Sequence, residues 1–347
     1  MGFTREGWPH KVLQAADTVF TPVAVFSVLL LPIRVYTRNE VVWENQRAAI
    51  ISDKFPNRFG SGILPSPPGR PAHPRPIMQA LVDYFTTIPS SHRSLILVGG
   101  ITVFWLIESA VPLFANTYGK WRHAGVNFFF TLTTIVVNFV LAFILVGTAD
   151  WVVANNVGLL QWVDAPLWVV LLVGLPLLDL IGAYAAHWTE HRVPVLWRFH
   201  LIHHTDQNID TTSANRHHPG ESVIRFVFTT LAVLIVGAPI WLVFLYQSLS
   251  VVLSQFNHAN IVMPRWADRL LSPVFVTPDM HRVHHHYMLP HTDTNFGNIF
   301  SFWDRLFGTY SEMDNRQIVY GVDTHMEDAD HQSLGRMLRI PFERRRK

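Results

Sequence analysis

An all-α integral membrane bundle, with about four to five spans including a helical hairpin and a cytoplasmic histidine-rich helical cap, is the fold class this chain predicts. Three observations predict it. The 347 residues are 49% hydrophobic and only 15% charged, with a mean hydropathy of +0.21, which is high for a soluble protein. The apolar residues gather in stretches that reach the roughly 20 residues needed to cross a bilayer. Thirteen of the nineteen histidines fall between His187 and His291.

Three stretches read directly as spans: about 94 to 114 ("SLILVGGITVFWLIESAVPLF"), about 126 to 147 and about 166 to 186. The apolar region 222 to 257 is too long for one span and is interrupted by Gly237, Ala238 and Pro239. It therefore reads as two helices turning near the far membrane face, with both ends on the histidine side. The loop from 149 to 165 has no lysine or arginine, whereas 115 to 124, 187 to 221 and 258 to 347 carry them. Basic loops stay inside, so the histidine-rich face is expected to be cytoplasmic. The seven basic side chains between 37 and 93 run against this topology.

Residues 1–90 form an N-terminal region with a candidate anchor at 18 to 33 and a proline-rich linker at 62 to 76. Residues 91–320 make the membrane domain, with its histidine core at 179–310, and 321–347 end in a basic tail, "ERRRK". Cysteine is absent, which removes disulfides, thiolate metal sites and cysteine nucleophiles. Net charge is +2 without interleaved aromatic platforms, so nucleic acid is not an expected partner.

The histidines are spaced, not merely numerous. His187 and His191 are four apart, which on a helix puts both rings on one face. His200, His203 and His204 repeat the logic at i, i+3 and i+4, and His281, His284 and His285 repeat it again. His258 stands alone at the end of the hairpin. A single HxxxH beside a span has a bland reading as interfacial polarity; two HxxHH triplets in one chain do not. Nine imidazoles exceed what one ion uses, which implies two metals, and imidazole suits iron, copper, nickel and zinc alike. His286 and His291 read as outer or surface groups, and His10, His73, His92, His123, His325 and His331 as ordinary ones. "RHHPGE" at 216–221 lacks the second glycine and acidic surroundings of a cytochrome b5 haem loop, leaving His218 to face the metals from a loop, with His217 the weaker candidate. "HWTEH" is not HExxH, because Glu190 precedes the second histidine rather than following the first.

HxxxH, HxxHH, "FNHANI", HxxHH and the closing "NFGNIFSFWDRLFGTY", running from about Asp179 to Tyr310, together resemble the fatty acid hydroxylase/sterol desaturase superfamily of integral membrane oxygenases. The resemblance implies two non-haem iron ions, with zinc an alternative occupant in a purified sample, held by His187, His191, His200, His203, His204, His258, His281, His284 and His285. It implies O2 as co-substrate and hydroxylation or desaturation of a lipid. Asp179 and Tyr184 match positions before the first histidine, where they are expected to orient ligands or line a substrate channel. Asn260 and Asn295 are expected to donate to ligand histidines, and Trp303, Phe307 and Tyr310 to pack a cap that Asp304 and Arg305 brace. Some members carry a histidine where this chain has Ser254, so His218 or water is expected to complete one coordination sphere.

No flavin, nicotinamide, iron-sulfur or haem signature accompanies the histidines. A separate electron donor is therefore expected, ferredoxin-like or cytochrome b5-like with its reductase. A zinc hydrolase and a metal transporter are the competing readings. Transport would need polar residues within the spans, and these hold few beyond Glu108, Asn138 and Asp179.

Overall fold

The computed structural model describes residues 77–115 and 118–343, all within one compact unit. The candidate anchor at 18 to 33, the proline-rich linker, His10, His73 and the last four basic residues lie outside the described residues. Among the described residues, five helices are long and apolar enough to cross a membrane. In chain order the helices are α1 (Ile77–Thr86), α2 (Ser90–Ala110), α3 (Lys120–Ala154), α4 (Leu167–Asp179), α5 (Ala186–Arg192), α6 (Pro194–His204), α7 (Pro219–Val236), α8 (Ile240–His258), α9 (Arg265–Leu271), α10 (Pro278–His284), α11 (Phe302–Leu306), α12 (Asp328–Gln332) and α13 (Leu334–Met337). The spans are α2, α3, α4 continued into α5, α7 and α8.

Contacts at the ends give the direction of each span. The start of α2 lies by the start of α8, where Arg93 sits over the Phe244 ring at 4.7 Å, and its last turn meets the end of α8, where Glu108 accepts from Asn260 N at 3.1 Å. Helix α3 leaves this second end, where His123 meets Asp206, and finishes near Gly237. The expected hairpin is α7 and α8, reversing through Gly237, Ala238 and Pro239. Gly237 has φ +70° and Gly158, opposite it, φ +95°; a Cβ on Gly158 would lie 2.3 Å from Gly237 N. Only glycine allows the two backbones to touch at this conformation.

Helix ends depart from the hydropathy pattern. Helix α2 stops at Ala110 rather than 114, because Pro112 cannot continue it and instead pairs in extended form with Ile261. Helix α3 starts at Lys120, and its 35 residues rise about 50 Å, beyond the roughly 30 Å of a hydrocarbon core. Its first turns carry His123 and Asn127 inward, and there they meet Asp206 and Thr212. The membrane domain begins earlier than 91: Leu81, Val82 and Phe85 of α1 pack on the core formed by α3, α4, α7 and α8. The basic tail begins later than 321, since Met337 and Ile340 pack against Val126, Phe130, Leu201 and Ile202.

Candidate metal centre

Proline punctuation delivers the histidines. Helix α5 stops at Arg192 because Val193 precedes Pro194 and is held extended, and Pro194 then opens α6. Thr277 caps α10, its side chain accepting from Met280 N, with Pro278 at the first helical position. Upstream, Pro176 inside α4 precedes a π-helical stretch, Leu180–Ala185, which changes the phase of the span just before His187.

Two groups of rings result. His187, His191, His200, His204 and His284 have their ligand atoms within 4.8 Å of one another, and so do those of His203, His258, His281 and His285. All nine histidines singled out in the sequence fall in one group or the other. Each triplet is divided between them: His200 and His204 join the first group and His203 the second, while His281 and His285 join the second and His284 the first. Neighbouring helical residues point about 100° apart, so His203 and His204 cannot aim at one spot.

The Nε2 atoms meet at short range. His200 Nε2 lies 3.1 Å from Nε2 of both His187 and His204; His258 Nε2 lies 3.1 Å from that of His203 and 3.2 Å from that of His281, which is 3.2 Å from that of His285. The outer nitrogens fix which atom carries hydrogen. His187 Nδ1 faces Phe296 O at 2.9 Å, His200 Nδ1 faces Glu221 Oε1 at 2.7 Å, His284 Nδ1 faces Thr294 O at 2.7 Å and His191 Nδ1 faces Asp293 Oδ1 at 3.1 Å. In the second group His258 Nδ1 faces Ser254 O and Asn257 Oδ1 at 2.8 and 2.7 Å. Carbonyls and carboxylates only accept, so each of these rings donates outward and turns a lone pair inward. Burial, and then the neighbouring rings, hold His200, His203, His204, His281, His284 and His285 well below the ordinary imidazole range. His187 and His200 both donate outward, so their Nε2 lone pairs, 3.1 Å apart, repel one another unless a cation lies between them. The donor set therefore fits a pair of metal ions.

Around the first group, Phe296 packs edge-on to His187 and His191, and Trp197 covers His191 and His204. Phe296 is fully buried, which keeps water from the rings. Glu221 Oε1 also takes His217 Nδ1 at 2.7 Å and Arg225 Nε at 2.9 Å, while Arg225 reaches Glu190 at 2.8 Å. His217 stacks on His203 at 4.9 Å, so one carboxylate touches the surroundings of both groups. In the buried turn after α8, Arg282 donates to Ala259 O and Ile261 O at 3.2 and 2.6 Å, clamping the chain that follows His258 to α10.

The segment from Thr294 to Asp304 acts as a strap. Asp304 accepts from Phe296 N at 2.7 Å and Gly297 N at 2.9 Å, and Asp179 accepts from Ile299 N and Phe300 N, each at 3.2 Å. Asp179 thus bears on His187 through the strap that supplies its carbonyl partner. Tyr184 meets Thr309 Oγ1 at 2.8 Å and stacks with Phe307 at 5.3 Å, again bracing the strap. Asn295, at φ +53°, donates to Met280 O and Ser311 O and not to a histidine.

That of Asn295 is one of three expectations that fail here. Asn260 pairs with the backbone of Phe114 and touches no ligand histidine; Asn257 holds His258 instead. His218 lies outside both groups, because Pro219 opens α7 and makes His218 its N-cap, accepting from Gly220 N at 3.0 Å. His217 faces inward in its place. Glu221, Arg225, Asp293 and the two strap carbonyls were not foreseen, and only the X-Pro pattern at His218–Pro219 offered a usable signal.

A helical membrane protein with two buried histidine groups at one end of its spans is the class that fold and site define. Residues 171–309 match the fatty acid hydroxylase family. It is 28% identical over 150 residues to ornithine lipid hydroxylase OlsE of Rhizobium tropici, covering 43% of each chain. It is 29% identical over 145 residues to alkylglycerol monooxygenase of Homo sapiens, covering 42% of this chain and 31% of that one. A cholesterol 25-hydroxylase-like protein of Danio rerio is 28% identical over 126 residues, 35% of this chain and 48% of its own. These alignments span less than half the length of each of these relatives. No solved structure matches.

Proposed function

We propose that this protein is an O2-dependent lipid hydroxylase of the bilayer, with two non-haem iron ions held by the nine histidines and the histidine end facing the cytoplasm. One observation carries the reading: two groups of buried histidine rings, four or five to a group, gather at one end of the apolar helices. Relatives named as lipid hydroxylases and monooxygenases support the same reaction class. Iron supplies O2 reduction and C–H oxidation when bound in such a site.

The chain's own residues perform the remaining tasks. The spans offer a lipid an apolar path from the bilayer, where each buried methylene contributes about 0.8 kcal/mol. Phe296 and Trp197 exclude water from the first group. Glu221, Asp293, Asn257 and the carbonyls of Phe296, Thr294 and Ser254 hold the outer imidazole protons, fixing the tautomer that leaves Nε2 free. Hydroxylation consumes O2, two electrons and two protons and releases water. The electrons come from a separate donor, ferredoxin-like or cytochrome b5-like.

The test is to incubate iron-loaded protein and a reductase system with host lipids under labelled O2 and find which lipid gains the label. Incorporation is expected in wild type and lost in His203→Ala and His284→Ala, with membrane insertion intact. Undiminished incorporation in those variants would overturn the reading. A sample holding one zinc and consuming no O2 would favour a zinc enzyme instead.

A further inference from the structure

Outside the five spans, the arm from 262 to 274 joins α8 to α10 and carries α9. Four large apolar side chains are exposed along it: Val262 at 52%, Trp266 at 70%, Leu270 at 69% and Val274 at 43%. Trp266 and Leu270 are one turn apart on α9, each directly preceded by an exposed arginine, Arg265 and Arg269. Another side of the helix is tied to the protein, where Asp268 accepts from Thr277 Oγ1 at 2.6 Å. The arm also continues a membrane surface. Val262 N donates to Val111 O at 3.1 Å, and Val111 extends the exposed apolar face of α2 that includes Leu106 and Ile107.

Tryptophan and leucine beside arginine, at the level where spans end, suit the boundary between headgroups and acyl chains. We propose that the 262–274 arm lies in the headgroup layer, with Trp266 and Leu270 inserted at the acyl boundary and arginine set against anionic phosphate-bearing lipid. Arg265 shares its surface with Glu312, Asp314 and Arg316, so Arg269 carries most of the anionic preference. The arm links His258 to His281, and Ser301 N donates to Val274 O and Val276 N to Ile299 O, each at 3.0 Å. Its seating therefore sets the depth of both histidine groups. This depends on membrane integration and not on the oxygenase reading.

Because the chain has no cysteine, single nitroxide labels can be placed on the full-length protein in vesicles at Leu270→Cys, Trp266→Cys and, as a water-facing control, Asp323→Cys. At 270 and 266, collision with O2 is expected to exceed collision with a water-soluble nickel chelate several-fold, with the reverse at 323. Adding Arg269→Glu should lower that ratio in vesicles containing phosphatidylglycerol and leave it unchanged in pure phosphatidylcholine. Labels at 266 and 270 that meet the nickel chelate as freely as 323 does would overturn the proposal. Shielding from both reagents would also overturn it, by showing a protein partner on the arm. No effect of Arg269→Glu in phosphatidylglycerol would remove the headgroup contact.

Discussion

Glu221 satisfies three donors at one oxygen: His200, His217 and Arg225. Glutamine keeps one acceptor oxygen but brings an amide N–H to a place already crowded with donors. Glu221→Gln should therefore leave a buried donor unpaired, at a cost of about 1–3 kcal/mol, and weaken metal binding roughly 10–100-fold. Chelator competition on the purified protein reads the affinity, and circular dichroism checks that helix content is kept. Eight of the nine rings were legible from i, i+3 and i+4 spacing, because helical geometry is periodic; His258, which stands alone, rested on the resemblance. The outer partners were not legible, because Phe296 and Thr294 contribute carbonyls, which no side chain announces, and Asp293 comes from a turn about a hundred positions from His191. The exchange of roles between His217 and His218 had a local cause: a residue before a helix-opening proline caps that helix and turns from the interior.

Among the elements, the strap is the most exposed to single changes. In Asp304 both oxygens accept backbone N–H groups, so Asp304→Asn places an amide against one of them; the strap should loosen, metal content should fall, and stability should drop by about 1–3 kcal/mol. The turn after α6 gives a pH signature. Burial alone would raise the Asp210 carboxyl, but His123 and Thr212 outweigh burial and hold it below its ordinary value of 3.8. A depressed acid adds stability above the unfolded value and loses it as pH falls toward the folded one. The melting temperature should therefore decline below about pH 4, and less steeply in Asp210→Asn. At the far end, Gly158→Ala would force a Cβ into Gly237 and strain a positive φ, costing about 1–3 kcal/mol, measurable as a lowered melting temperature. Hydropathy located the spans because bilayer thickness sets their length. It misplaced their ends because capping, Pro112 and the polar partners of His123 and Asn127 set those.

For the whole molecule, the five spans put α1, the start of α2, the loop after α3 and the α7–α8 turn at one end and both histidine groups at the other. The proposed cytoplasmic histidine end predicts that an impermeant thiol reagent applied to intact cells labels Trp162→Cys and spares Asp323→Cys, and that inverted membranes reverse the result. The division of α6 and α10 between the two histidine groups has a consequence for how ions would enter. Neither position can be assembled without orienting the same two helices that build its neighbour, so arrival of one cation prepares the other site. Loading should be cooperative, with half-filled protein scarce at every intermediate dose of iron.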